Sequence, residues 1–239
     1  MSDQAKTSVV RVMSGLALEV AVNRWLKPQF EAESDFLLEM DWRPTAAIMK
    51  SIDAGQRADM VIAISDPMDR LVEAGIVVAK TRAPLADAVL GVGVLSGAPR
   101  PDVSTLEAFK AAMVGARAVA YSQAGASGIY FAKLIDKLGI GDAVRAKGVT
   151  IPMGFTGEKV VSGEAELAIQ QVSELMTVKG IDVAGPFPAE IQVASRFDAA
   201  IFADAANPDG ARALLEMLTS PAAHEAYGNG GLVSRLQTV

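Results

Sequence analysis

The chain has 239 residues, 51% of them hydrophobic and only 5% aromatic, enough for one large α/β domain or for two lobes of roughly 100 residues. A net charge of −6 without a dense basic run gives no overall attraction to nucleic acid or to an anionic membrane. With no cysteine and one histidine, there is no disulfide, thiolate metal site, cysteine nucleophile or imidazole cluster, and acid–base work falls to carboxylates, Lys, Tyr or water.

Ser8 to Met13 reads as an opening buried strand, followed by the turn Ser14-Gly15 and a helix through Leu16, Val20, Trp25 and Leu26. Phe36 to Met40 is a second strand, after which Arg43 and Thr45 stand near the start of a helix from Ala46 to Ala54, stopped by Gly55. A third strand, Arg57 to Ile64, ends at Ser65-Asp66-Pro67, and a helix through Met68, Leu71 and Val72 follows, with Gly75 ending it. Three such units predict a parallel sheet, because parallel strands need helical crossovers. Ligands of such sheets sit beyond the C-terminal strand ends, the edge shared by Ser14, Arg43, Thr45, Ser65 and Asp66.

Ala88 to Leu95 reads as an apolar strand, broken at Ser96 to Pro101, and the lobe changes at its start. A helix around Ser104 to Ala112 takes Ser104 as its cap. The strand Ala118 to Tyr121 then runs into the small-residue loop Ser122 to Gly128 and a helix carrying Phe131, Leu134, Ile135 and Leu138, ended by Gly139. Gly and Ser delivered to a helix start present unpaired N–H groups, hydroxyls and the positive end of a dipole, which suits a carboxylate or oxyanion. The loop has neither the glycine spacing of a dinucleotide site nor a Walker ending.

Val149 to Met153 is a further strand, Thr156 reads as a helix cap, and Ala165 to Gln170 forms a strand ending at Gln170-Gln171. Gln170 and Gln171 alternate in direction, so one faces ligand while the other packs or meets solvent. Ile191 to Ala194 and Asp198 to Phe202 read as strands returning to the first lobe. Asn207-Pro208-Asp209-Gly210 starts a helix from Ala211 to Leu218, Ser220-Pro221 starts another bearing His224 and Tyr227, and Gly228 to Leu232 reads as a flexible turn.

Ile52-Asp53-Ala54-Gly55 with Ala58 to Ile62, Gly128-Ile129-Tyr130 with Leu134 and Leu138-Gly139, Ala165 to Ser173, and Leu218 to Tyr227 occur in an order that resembles the type II periplasmic solute-binding proteins, and within them the molybdate-binding proteins. The resemblance spans nearly the whole chain. It implies a two-lobe α/β fold with a ligand clamped in a cleft between the lobes, divided as 1–84 plus 196–239 and 85–195. It carries the oxyanion contacts onto Ser14 or Gly15, Thr45, Ser127 and a backbone amide near Met153, while Gln171 stands where the family has a binding tyrosine. A Gln amide offers two donors and an acceptor in place of one hydroxyl. Arg43 adds a bidentate carboxylate donor that a molybdate site usually lacks.

A smaller branch of that resemblance contains aconitate isomerase, which interconverts trans- and cis-aconitate without a cofactor. It fits a pocket of hydroxyls and amides, with Ser122 beside Ser127 and an added arginine. Such a reaction needs a base, for which Glu158 and Asp66 are the carboxylates nearest the ligand-side turns. The expected function is therefore a cofactor-free and metal-free isomerase of a small unsaturated polycarboxylate such as a tricarboxylate. The alternative is a non-catalytic receptor for an oxyanion or organic anion, working as a monomer with the permease of an ABC importer. A cytoplasmic ligand sensor is a third reading without a DNA-binding segment to support it. The N-terminus lacks the layout of an export signal, and no run is long and apolar enough to span a membrane. The chain is cytoplasmic if complete as it stands, and periplasmic if a signal has been removed.

Overall fold

In a computed structural model, which describes residues 8–152 and 154–236, the chain divides into two compact units, Met1–Asp87 with Ser195–Val239 and Ala88–Ala194. Strand β1 (Ser8–Ser14) leads into one helical run with changing pitch: a 3-10 turn at Leu16–Leu18, α1 (Glu19–Ala21), a π-helical stretch at Val22–Leu26 and α2 (Lys27–Glu33). The widened stretch comes just before Pro28, which has no N–H to donate and whose ring would clash in a regular turn. Then follow β2 (Phe36–Trp42), α3 (Thr45–Asp53), β3 (Met60–Ile64) and α4 (Ser65–Glu73). Gly55 and Gly75, at φ 91° and 67°, end the two helices.

The apolar run expected as one strand from Ala88 is two strands, β4 (Ala83–Ala88) and β5 (Leu90–Leu95), parted at Val89. Next come α5 (Leu106–Gly115), β6 (Val119–Ser122), α6 (Ala126–Lys137), α7 (Gly141–Arg145), β7 (Gly148–Ile151), α8 (Gly157–Val161), β8 (Leu167–Gln171), α9 (Val172–Leu175) and β9 (Ile181–Pro186). The cap of α5 is Thr105, which accepts from Ala108 N, and not Ser104, whose hydroxyl is drawn to Asp102. Helices α7 and α9 and strand β9 were not foreseen.

No strand forms over Ile191 to Ala194. A 3-10 turn occupies Ala189–Ile191, and the Gln192 side chain takes the place of a strand neighbour: its Oε1 accepts from Leu90 N at 2.8 Å and its Nε2 donates to Leu90 O at 2.9 Å. The chain closes with β10 (Ser195–Ile201), α10 (Pro208–Leu218), α11 (Pro221–Asn229) and β11 (Val233–Ser234). Asn207 and Ser220 cap the two helices, the first of which begins at Pro208, three residues before the expected Ala211. The glycine-rich stretch expected as a flexible turn is in part helix, and Leu232 N donates back to Tyr227 O.

Both sheets are mixed, which corrects the parallel expectation. The first unit has the order β11-β4-β10-β3-β1-β2, with β1 parallel to β2 and β3 while β10 runs antiparallel to β3. The second has β7-β6-β8-β5-β9, with β6 parallel to β7 and β8 while β5 opposes β8 and β9. Helices cover the sheets with apolar faces: Ile48, Ile52 and Met68 pack on Met13, Val61 and Ala63 in the first unit, and Phe109, Phe131 and Ile135 pack on Val92, Val119 and Ile169 in the second. Each α/β unit thus has its own core.

Candidate functional site

Parallel pairing aligns the strand ends. Ser14 lies opposite Trp42 and Ile62, so the C-termini of β1, β2 and β3 share one edge of the first sheet. Ser14 is fully buried there, and its hydroxyl donates to Gly15 O at 3.2 Å. The Gly15 amide continues the ladder to Ile62 O at 2.9 Å, so it is not a spare donor. Thr45 opens α3 after Pro44, buried and with its hydroxyl unpartnered among the described residues. The first backbone bonds of α3 are those of Ala47 and Ile48 to Pro44 O, which leaves the N–H groups of Thr45 and Ala46 without helical partners.

Arg43 stands beside this helix start with its guanidinium already engaged. Nη1 donates to Ser51 Oγ at 2.7 Å, Nη2 pairs with Asp41, and Nε is buried without a hydrogen-bond partner among the described residues. Sequence reading missed Asp41, although its spacing of two from Arg43 along extended chain was the available signal. Asp66 stands exposed in the first turn of α4, while Ser65 donates to Arg196 O at 3.2 Å.

The edge of the second sheet is built differently. Ser122 ends β6 buried, and its Oγ accepts from Gly125 N at 2.9 Å, which folds the loop back on the strand. Helix α6 then seats on the strand end so closely that a Cβ on Gly128 would lie 1.7 Å from Ser122 O. Only glycine fits that contact. Ile129 is the first residue to bond back, to Gly125 O at 3.0 Å, so the amides of Ala126, Ser127 and Gly128 are the unpaired first turn. The Ser127 hydroxyl, in a buried residue, has no partner among the described residues.

On β8 the two glutamines take opposite roles. Gln170 is spent inward: Oε1 accepts from Thr156 N at 2.8 Å and Thr156 Oγ1 at 2.9 Å, and Nε2 donates to Gly154 O at 3.1 Å. Thr156 is therefore tied to β8 and does not cap α8 with its side chain, contrary to its sequence pattern. Gln171, also buried, has no side-chain partner among the described residues. Two residues on, Ser173 Oγ is buried and unpartnered among the described residues, a feature for which the sequence carries no signal.

Among the other candidates, Glu158 is exposed in the first turn of α8. The Tyr130 hydroxyl is committed to Ile191 O at 2.8 Å, and burial raises its pKa. His224 is half-buried, and its Nδ1 has no partner among the described residues. Met153 lies outside the described residues. No group of three His, Cys, Asp or Glu side chains able to hold a metal occurs among the described residues, and no helix there is long and apolar enough to cross a membrane. Each edge joins a helix start of nine or more residues to hydroxyl or amide side chains, a donor set for a small anion.

Residues 10–232 match the bacterial extracellular solute-binding proteins. A curated relative, aconitate isomerase from Pseudomonas sp, is 33% identical over 215 residues, covering 87% of this chain and 82% of the relative. The periplasmic molybdate-binding protein of Azotobacter vinelandii has the same fold, with a TM-score of 0.76 at 17% identity over 94% of this chain and 98% of that one. The tungstate binding protein of Desulfovibrio alaskensis gives a TM-score of 0.63 at 14% identity, over 97% of this chain and 100% of its own. The chain is thus a two-lobe α/β protein of the periplasmic-binding-protein type, and it belongs to the bacterial extracellular solute-binding protein family.

Proposed function

We propose that the protein is a cofactor-independent isomerase of a small unsaturated polycarboxylate, of the aconitate type. The observation that carries the reading is the 33% identity to aconitate isomerase over most of both chains. The unspent donors agree with it. Thr45, Ser127 and Gln171 offer hydroxyls and an amide, the starts of α3 and α6 offer N–H groups, and Arg43 supplies the cation that a carboxylate needs.

The reaction is an allylic proton shift. A base takes a proton from the carbon next to a carboxylate, and the electron pair left behind spreads through the double bond onto carboxylate oxygens as a dienolate. Preorganised N–H and O–H donors hold that charge. The proton returns at the far end of the allylic system, so the double bond moves and nothing else is consumed. Glu158 and Asp66 are the proposed bases; each stands exposed in a helix first turn, without an ion-pair partner among the described residues.

The test is proton NMR of the protein with trans-aconitate in deuterated buffer, with Arg43→Ala as control. Appearance of cis-aconitate carrying solvent deuterium, lost in the control, supports the reading; unchanged substrate sinks it. The second reading, a periplasmic receptor delivering an oxyanion or organic anion to an importer permease, is favoured by the family itself and by the likeness to the molybdate-binding fold. Thermal stabilisation by molybdate, with no turnover of aconitate, would select it.

A further inference from the structure

Arg43 is both held and incomplete. Its terminal nitrogens are engaged, Nη1 by Ser51 Oγ at 2.7 Å and Nη2 by Asp41, yet the Nε–H between them and the chain is enclosed without a partner among the described residues. A buried donor on a charged group is costly to leave unpaired, and such an atom in a folded protein calls for a reason. A carboxylate satisfies a guanidinium best in parallel, one oxygen on Nε and the other on Nη2. Asp41 holds only the Nη2 half of that edge. Asp41 is also the looser member, its side chain 49% exposed against 28% for Arg43, which Ser51 on α3 keeps in place.

We infer that Asp41 is an internal stand-in for a ligand carboxylate: it occupies Arg43 in the free protein and swings into water when an organic carboxylate takes the Nε–Nη2 edge. This rests on the proposed function only in taking Arg43 as a ligand contact. The consequence is selectivity. A tethered carboxylate competes at a high effective concentration, so an anion that binds through Arg43 alone loses. A polycarboxylate that also reaches helix N–H groups and hydroxyls wins. Asp41 is in this sense a specificity-determining residue, set near the end of β2 two positions before Arg43.

The test uses propane-1,2,3-tricarboxylate, which has no double bond to move, and acetate as a single-carboxylate probe. Calorimetric titrations compare the wild type, Asp41→Asn, Arg43→Lys and the double variant, while nitrogen-15 NMR follows the Arg43 Nε–H. Removing the competitor is expected to tighten tricarboxylate binding about tenfold and to make acetate binding measurable, with neither gain present when Arg43 is Lys. The Nε–H signal should move as tricarboxylate is added to the wild type. Unchanged or weaker affinity in Asp41→Asn overturns the inference, as does a gain that survives Arg43→Lys or an Nε–H signal unmoved in both wild type and Asp41→Asn. If these results hold while trans-aconitate stays unchanged, the isomerase reading falls and the stand-in remains; turnover with no effect of Asp41→Asn gives the reverse.

Discussion

The two sheet edges spend their polar groups differently. In the first unit most donors are already used internally: Ser14 on Gly15 O, the Gly15 amide on Ile62 O, Ser65 on Arg196 O, and the Arg43 guanidinium on Asp41 and Ser51. In the second, Ser122 and Gln170 are spent on holding loops, which leaves the Ser127 hydroxyl, the Gln171 amide and the first turn of α6 unspent. The lesson is that one polar residue type serves two purposes, and neighbours decide which. A serine that closes a loop contributes stability, while one left open contributes affinity.

The sharpest contrast lies in how tightly each edge is seated. Gly128→Ala places a Cβ 1.7 Å from a backbone oxygen, and Gly15→Ala places one 2.5 Å from the edge of the Phe197 ring. Backbone cannot yield as a ring can, so urea unfolding should show a loss of about 3 kcal/mol or more for Gly128→Ala and about half that for Gly15→Ala. Equal losses would mean that the second edge is no more rigidly built than the first.

Next in size is Gln170→Leu, which strands Thr156 N in a buried site and should cost about 2 kcal/mol. Gln171→Leu, with no side-chain partner among the described residues to strand, should leave the urea midpoint within about 0.5 kcal/mol of wild type and weaken tricarboxylate binding instead. A Gln171→Leu protein with unaltered binding would remove that residue from the site.

The serine pair sharpens the same division on a smaller scale. Ser122→Ala should lose about 1 kcal/mol of stability through the freed Gly125 N–H. Ser127→Ala should instead lose about fivefold in affinity with unchanged stability. Both variants showing the same profile would erase the distinction between spent and unspent hydroxyls.

The smallest effect belongs to Asp87 on β4, in the first unit. Burial raises its carboxyl pKa, an effect the nearby Arg235 and Arg196 oppose. A carboxyl whose folded pKa is raised keeps its proton to higher pH when folded than when unfolded. Stability conferred by Asp87 is therefore greatest below its ordinary value and falls as pH rises through the window up to its folded value. Relative to Asp87→Asn, the wild type should gain under about 1 kcal/mol on acidification through that window, read from unfolding midpoints. A flat difference would show that Arg235 cancels the burial.

Much of this was legible in the chain itself. Alternating apolar runs followed by helical spacing marked the β1, β2, β3, β6 and β8 units, and Gly55, Gly75 and Gly139 marked helix ends because a left-handed residue there has a local cause. Asn207 and Ser220 were readable as caps for the same reason, since cap and amide lie three residues apart. Local pattern also placed Ser14, Ser122 and Gln171 at the ends of strands and Arg43, Thr45 and Ser127 at or just before helix starts.

What only the tertiary structure decided is the set of partners distant along the chain. The antiparallel return of β10, the split at Val89, where Val172 N donates to Val89 O, and the Gln192 side chain standing in for a strand beside Leu90 all involve segments far along the chain. Thr156 has a cap's pattern, but a glutamine fourteen residues downstream claims its hydroxyl. Sequence periodicity records which face of an element is apolar. Which polar group meets which is settled by sheet order and close packing, and on that assignment rests the difference between a donor that holds the fold and one left for a ligand.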